Sequence, residues 1–199
     1  MRRSTLIVTL VASAAVSGIA FASDGVTRPP FAPAYVGTAT GTMRMPGRVD
    51  TWTVQALRFK LQNARFVRGA WGGTYLVAGG RVTFTSKATG ECKSTTTASF
   101  SLGRLPWDAA AISFLQNRRD PGYAYQARVA KEHPVNVTQE CADPGGSYTR
   151  KELVSPAGGL WLHTDIGERF VPGKPLRGSH REQGYGGSRS STWNLAPRR

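Results

Sequence analysis

The stretch RVTFTSKATGECKSTTTASFSL, residues 81–102, decides the fold class of this chain. Val82 and Phe84 alternate with polar residues in its first half, and Phe100 belongs to an alternating apolar set in its second half. Residues 88–91 between the two halves have the composition of a turn. Alternation with a period of two is typical of strands that are buried on one face. The stretch therefore predicts a β-hairpin.

The remaining apolar stretches are also short, and none has a sustained helical period. Residues 123–141 predict a second hairpin, with its turn at His133-Pro134. Residues 108–116 are compatible with a helical turn, because Asp108 can cap one, or with a strand through Ile112. Further strands are predicted at residues 35–45, 73–78, 160–164, 176–182 and 190–195. We expect an all-β fold, a single antiparallel β-sandwich or β-barrel of about nine or ten strands.

Two places in this pattern predict irregular strands. In residues 52–61 the apolar parity changes after Val54, which indicates either a β-bulge near Gln55–Leu57 or a strand buried on both faces. A bulge has this effect because one extra residue reverses the facing of every residue that follows. Gly79-Gly80 is compatible with a tight turn or with a bulge.

The N-terminus has the pattern of a secretory signal peptide. Arg2 and Arg3 precede an apolar run over residues 6–16, and small residues then lead to an Ala-x-Ala site ending at Ala22. The apolar run is well short of the roughly 20 residues that a membrane-spanning helix requires. We expect residues 1–22 to be a signal peptide that is cleaved after Ala22, so that the protein is secreted.

The rest of the chain, residues 23–199, is predicted to be a single β-rich domain. It opens with an irregular, proline-containing lead-in at residues 23–33, and no later segment has the composition of a linker. The length is ordinary for one domain with its own core.

Cys92 and Cys141 are the two cysteines of the chain. A pair of cysteines in an exported protein most often forms one disulfide, because the compartment is oxidising. Each lies on the apolar parity of its own predicted strand, which makes a bridge between the two hairpins possible. A zinc site is not predicted, because two isolated cysteines without a nearby histidine lack the usual ligand spacing.

The charge is strongly positive and unevenly distributed, with a formal net charge of +14. Residues 51–90 contain no acid, and residues 169–199 contain seven bases and one acid, Glu182. Such stretches attract polyanions. The alternative is that the arginines serve solubility alone. The residues predicted to bind a polyanion are Arg58, Lys60, Arg65, Arg68 and Arg81.

No sequence motif points to catalysis or to a cofactor. The chain contains neither a phosphate-binding loop nor a nucleophile elbow, and its carboxylates are scattered. His163 and Asp165, two residues apart, would share one face of a strand and are the best acid–base or metal candidate. A metal site, however, needs three or four converging ligands. No catalytic residue is assigned, and the sequence does not decide whether the protein is an enzyme.

Two resemblances to known proteins can be named. Gly69-Ala70-Trp71 resembles the short G-x-W motif of lipocalins, which lies in the first strand of that family and mid-chain here. The Ala20-Phe21-Ala22 site, the arginine bias, the two cysteines and the closing Thr192-Trp193-Asn194-Leu195 resemble uncharacterised exported all-β proteins of high-GC Gram-positive bacteria. This second resemblance implies export and an all-β fold, and it carries no activity.

The sequence thus favours a secreted, non-catalytic β-domain that binds an anionic polymer of the cell envelope or the extracellular space. Two alternatives stay open: a hydrolase of an extracellular polymer, and a lipocalin-like carrier of a small ligand. The hydrolase requires a cleft in which carboxylates converge, and the carrier requires a wide apolar cavity inside a closed barrel.

Overall fold

A computed structural model describes residues 29–67, 70–104, 111–116, 123–129, 131–142, 146–155, 161–163, 171–184 and 186–199. The predicted signal peptide, residues 1–22, lies outside the described residues, as does the first part of the predicted lead-in. Residues 29–33 are irregular, as predicted, and the first strand begins immediately after them. None of the described residues belongs to a helix that could cross a membrane.

The described residues form eleven strands, which we number in chain order. They are β1 (Ala34–Met45), β2 (Arg48–Val67), β3 (Ala70–Ala88), β4 (Cys92–Ser101), β5 (Ala111–Gln116), β6 (Tyr123–Arg128), β7 (His133–Cys141), β8 (Ser147–Val154), β9 (Trp161–His163), β10 (Leu176–Gly184) and β11 (Gly187–Arg198). The predicted all-β class is confirmed.

All the strands belong to one antiparallel sheet. Its main path runs β10-β11-β1-β2-β3-β4-β7-β8, and a branch leaves β3 through β5 and β6 to β9. Among the described residues no ladder joins β9 to β10, so the sheet is not closed. The finer prediction, a sandwich or barrel of nine or ten strands, is therefore not confirmed.

The branch arises because the long strand β3 changes partner along its length. Residues 72–76 pair with β5, whereas residues 81–88 pair with β4. Between these segments Gly80 has a φ of 152°, which favours glycine, and the register with β2 shifts near Gly79. The strand continues through both glycines. Of the two predicted alternatives, the bulge is correct and the tight turn is wrong.

The predicted bulge in β2 is confirmed. The register with β3 shifts between Gln55 and Arg58, and Ala56 has a φ of +48°. Because of this extra residue, Val54 before the bulge and Leu57 after it both point into the core and are fully buried.

The first predicted hairpin is confirmed, and the second is wrong. The second half of β3 pairs with β4 from Arg81↔Ser101 to Ala88↔Ser94. By contrast, β6 pairs with β5 and β9, whereas β7 pairs with β4 and β8. His133 begins a strand instead of forming a turn, and its ring stacks on Phe100 with centroids 4.3 Å apart.

The sequence pattern missed one strand and left another undecided. Strand β8 was not predicted, because most of its side chains are polar and exposed and show no apolar alternation. Residues 111–116 form β5, so the strand interpretation of that segment is correct where it is described.

The disulfide between Cys92 and Cys141 is confirmed. The two residues are direct partners in the ladder between β4 and β7, with Cα atoms 4.0 Å apart. The described part of this ladder contains one further pair, Lys93↔Glu140. The disulfide therefore lies where the sheet passes from β4 to β7 and β8.

The core is one continuous apolar cluster around which the sheet curls. Trp193 of β11 donates a 2.7 Å hydrogen bond from Nε1 to the Tyr125 hydroxyl of β6, although these strands are far apart in the order of the sheet. The largest fully buried side chains are Tyr35, Tyr75, Phe59, Phe84, Leu57, Leu102, Leu162, Leu176 and Leu195.

Two buried tyrosines attach irregular segments to this core. The Tyr75 hydroxyl donates to the carbonyl of Ala32 at 2.5 Å, and the backbone N–H of Gly173 donates to the Tyr35 hydroxyl at 3.2 Å. Burial raises the pKa of Tyr35 to about 12 even though the bond from Gly173 opposes the shift. Burial also raises the pKa of Tyr75 above its ordinary value, so both hydroxyls remain protonated in the physiological pH range.

Candidate polyanion-binding face

The six adjacent strands β10, β11, β1, β2, β3 and β4 present one side to the core and the other to solvent. We call the solvent side the outer face. Residues that are paired in a ladder lie on the same side of a sheet, and successive residues of a strand alternate between sides. The outer residues can therefore be followed from strand to strand through the register.

Hydroxyl side chains form two rows across the outer face. In each row every residue is the ladder partner of the next. The first row is Ser179, Thr192, Thr40, Thr53, Thr83 and Ser99, and the second continues from Arg181 through Ser190, Thr42, Thr51, Thr85 and Thr97. Neighbouring strands are about 4.8 Å apart, so the hydroxyls are closely spaced. We call them the hydroxyl rows.

Some of these hydroxyls hydrogen-bond to one another across the ladder. The Oγ1 atoms of Thr40 and Thr192 lie 2.7 Å apart, and Thr83 Oγ1 lies 3.5 Å from Ser99 Oγ. A hydroxyl group both donates and accepts, so such pairs keep capacity for a further partner from solvent. Threonine suits these positions because its β-branch favours extended backbone and its hydroxyl tolerates water.

Basic side chains surround the hydroxyl rows. The outward-facing bases of the six strands include Arg44, Arg58, Lys60, Arg81, Lys87, Arg177, Arg181 and Arg198. No described residue of these strands places an acid on the outer face. The outer face is therefore a continuous surface of positive charge and hydroxyl groups.

The acids Asp50, Glu152 and Glu182 lie on the opposite, inner side of the sheet. Asp50 accepts a 2.8 Å bond from Arg48 Nε, and the same guanidinium reaches Glu152 at 3.1 Å. Burial alone would raise the pKa of Glu152, but hydrogen bonds and charge from Arg150 and Arg48 outweigh it and hold the pKa below its ordinary value. Glu152 is thus ionised at neutral pH and paired.

Glu182 is paired in the same manner near the other edge of the sheet. Arg189 Nε donates to its carboxylate at 2.7 Å, and His180 Nε2 lies 3.6 Å from it. The hydrogen bond from Arg189, with a smaller contribution from His180, lowers the pKa of Glu182. Because its charge is matched locally, Glu182 subtracts little from the positive field of the outer face.

The structure brings together most of the residues that the sequence predicted for polyanion binding. Arg58, Lys60 and Arg81 are exposed on the outer face, and Arg65 is exposed near the end of β2, on the same side by its register with β3. Arg68 lies outside the described residues.

The two basic stretches of the sequence also meet. Strands β10 and β11 are separated from β2 and β3 by β1 alone. The C-terminal stretch contributes Arg177 and Arg181 to the outer face, while Arg189 pairs with Glu182 on the inner side.

Sequence reasoning missed Arg44 and the hydroxyl rows. The signal was present as Thr-x-Thr repeats, in Thr38-x-Thr40-x-Thr42, Thr51-x-Thr53 and Thr95-x-Thr97. Each repeat indicates a polar strand face. Their alignment into rows depends on the registers between strands, which a single sequence does not reveal.

A shallow groove crosses the outer face near the tips of β1, β10 and β11. Its volume is about 250 Å³, and its lining is formed by Thr42, Arg44, Arg181, Ser188, Arg189 and Ser190. The lining carries hydrogen-bond donors and guanidinium groups and no carboxylate. The groove is therefore suited to a small anionic group.

The sequence candidate for acid–base or metal chemistry is not assembled in the described part of the chain. His163 ends β9, and Asp165 lies outside the described residues. No group of three or more histidine, cysteine or acidic side chains that could hold a metal is found among the residues that are described. The carboxylates of Asp50, Glu152 and Glu182 contact arginines instead of converging on a cleft.

The lipocalin-like interpretation requires a cavity inside a closed barrel, and the described sheet is open. Trp71 of the G-x-W motif lies in β3 and packs at the margin of the core, in ring contact with Phe66. A second cavity of about 250 Å³ includes Met43 and Met45 in its lining and lies at the hairpin tips, away from the middle of the core. Comparisons of the chain with protein families, with curated proteins and with solved structures found no match.

Proposed function

We propose that this protein binds an anionic polymer of the cell envelope or the extracellular space, and that it does so through the outer face. The acid-free outer face is the observation that carries the proposal. Its bases attract a polyanion over a distance of several ångströms, while the hydroxyl rows supply donors to the oxygen atoms of the bound chain. The protein acts by binding and not by catalysis.

The arrangement of acids supports this proposal over the view that arginine serves solubility alone. If solubility were the only requirement, acids and bases would be interspersed over the whole surface. Here Asp50, Glu152 and Glu182 are paired with arginines on the inner side, and the other described acids, Glu91, Glu132 and Glu140, lie outside the six strands. The outward bases Arg58, Arg81 and Arg177 therefore have no acid on the outer face of the six strands, and the nearest strand that carries an outward acid is β7, with Glu140.

We further propose that the protein works outside the cell after removal of residues 1–22. The disulfide Cys92–Cys141 supports an oxidising, extracellular location, since such bonds rarely persist in the cytosol. N-terminal sequencing of the exported protein should begin at Ser23. Ala22→Leu should block this cleavage, because the site requires a small residue. An exported wild-type chain that retains Arg2 and Arg3 would contradict the proposal.

The binding proposal is tested by neutralising bases of the outer face. In the triple variant Arg58→Gln, Lys60→Gln and Arg81→Gln, we expect affinity for long-chain polyphosphate to fall about tenfold, and the slope of log affinity against log salt to fall by about three, roughly one for each base. Fluorescence anisotropy with a labelled polymer, at several salt concentrations, measures both quantities.

The matched control removes the same charge elsewhere. Arg104, Lys151 and Lys174 are exposed and lie outside the six strands of the outer face. Their replacement by glutamine should change affinity about twofold or less, because these bases do not belong to the face that the polymer contacts and a polyanion releases counterions mainly where it is contacted. Equal losses in the two triple variants, or no binding of any anionic polymer by the wild-type protein, would refute the proposed function.

A further inference from the structure

The groove between β1, β10 and β11 places guanidinium and hydroxyl groups around one small space. Thr42 and Arg44 come from β1, Ser188 and Ser190 from β11, and Arg181 from β10. Three different strands therefore contribute donors to a volume of about 250 Å³.

The registers explain why these side chains are neighbours. Arg181 is the ladder partner of Ser190, which is in turn the partner of Thr42. Arg44 is the partner of Ser188, one step nearer the hairpin tips. Side chains directly opposite each other have Cβ atoms about 4.5–5.5 Å apart, so the two long arginines can reach a shared anion from opposite sides of the serines.

The chemistry of these donors favours one shape of anion. A planar carboxylate presents its oxygens in one plane and is fully matched by a single guanidinium fork. In the groove, Arg44 of β1 and Arg181 of β10 belong to the two strands that flank β11. Ser188 and Ser190 belong to β11 and lie between them. A tetrahedral oxyanion suits such donors better than a carboxylate does. Its oxygen atoms do not all lie in one plane, so they can accept hydrogen bonds from several directions.

Nearby negative charge does not oppose such a ligand. Glu182 of β10 lies close to the turn that joins β10 to β11. Its carboxylate, however, accepts hydrogen bonds from Arg189 and points to the inner side of the sheet. Arg189 also contributes to the lining of the groove. Because Arg189 is paired with Glu182 and no carboxylate lines the groove, Arg44 and Arg181 are the charged groups that a bound anion would face.

We propose that the groove is a specificity subsite for a tetrahedral oxyanion ester of the bound polymer, a phosphate or a sulfate group. This inference rests on the proposed function, and it adds that the outer face distinguishes such polymers from polycarboxylates. The other bases of the outer face attract every kind of anionic polymer by their charge. The groove adds the preference for polymers that carry phosphate or sulfate groups.

The test compares three polymers on the mature, disulfide-bonded protein: long-chain polyphosphate, dextran sulfate and poly-L-glutamate of similar charge number. For Arg44→Gln with Arg181→Gln, we expect affinity for the preferred tetrahedral polymer to fall at least tenfold more than affinity for polyglutamate. Both side chains are exposed, so the unfolding midpoint should be unchanged. The polymer whose affinity falls more identifies the group as phosphate or sulfate.

Two control variants separate shape recognition from simple charge. Arg58→Gln with Arg81→Gln removes two bases of the same face outside the groove, and its losses should be equal for all three polymers. Arg44→Lys with Arg181→Lys keeps the charge but reduces each set of five fixed donors to one flexible ammonium group, so the convergent donors that favour a tetrahedral anion are lost, while attraction of polyglutamate by charge is retained.

The outcomes for the subsite and for the function are distinguishable. If the groove variant weakens all three polymers equally, or if the wild-type protein shows no preference for either tetrahedral polymer, the subsite is refuted and binding by the outer face stands. If the wild-type protein binds none of the three polymers, both the subsite and the proposed function are refuted.

Discussion

Loss of the disulfide is expected to lower the free energy of unfolding by about 4 kcal/mol, the chain-entropy value for a loop of this length. The loop between Cys92 and Cys141 spans 49 residues, and closing it removes conformational freedom from the unfolded chain. The same bond also holds β7 to β4 beside a short described ladder. Urea unfolding of Cys92→Ser with Cys141→Ser, measured against the oxidised wild type, gives the difference.

The adjacent ladder pair offers a matched control. Lys93 and Glu140 are direct partners, one position along from the cysteines, and no covalent bond joins them. Replacing both with serine should cost about 1 kcal/mol or less, the usual size of a cross-strand pair. If the two double variants lose equal stability, the effect belongs to local pairing, and the loop-closure explanation is wrong.

Gly37→Ala is expected to destabilise the protein by about 3 kcal/mol, because it forces a methyl group into a space that backbone already occupies. A Cβ atom at Gly37 of β1 would overlap the carbonyl oxygen of Asn194 in β11. Backbone in the middle of a ladder cannot move aside as the end of a side chain can. Strands β1 and β11 also carry part of the outer face, so polymer binding should weaken together with stability.

Gly79→Ala is the control for this substitution. Gly79 also lies within a strand, but no atom would come within 4 Å of a Cβ there. Its replacement should change stability by less than about 1 kcal/mol, and the entropy lost by glycine on folding favours alanine. Urea unfolding measures both variants, and similar losses would show that close approach at Gly37 is not the cause.

The local features of the fold were predictable because alternation is a property of consecutive residues. Val82 and Phe84 identify a strand face without any knowledge of its partner, and the parity change after Val54 marks a bulge within one strand. Both predictions are confirmed. Strand β8 was not predicted, because an exposed edge strand has few apolar residues and therefore shows little alternation.

The partners of each strand were less predictable. Residues 123–141 were expected to form one hairpin, but β6 and β7 lie in different parts of the sheet. Two strands that are adjacent in sequence usually pair, and His133-Pro134 resembles a turn. Here each strand pairs with its other neighbour in sequence, β6 with β5 and β7 with β8, so one local pairing competes with another and the sequence pattern does not decide between them.

The disulfide was predictable only in part. Its formation was predictable from the number of cysteines and the expected oxidising compartment. Its position was not, because the predicted bridge joined two hairpins, whereas the observed one joins direct ladder partners of β4 and β7. Which strands meet is decided by pairing between segments that are distant in the chain.

The sequence by itself determined the sign of the charge, the strand character of the chain and the inward or outward facing of most residues in each strand. These properties depend on composition and on a period of two, both of which are local. Only the tertiary structure decided that Arg44, Arg58 and Arg181 share one face and that Glu182 does not. The reason is register: a shift of one residue between two strands would exchange their inner and outer sides, and the packing of the whole core selects among the registers.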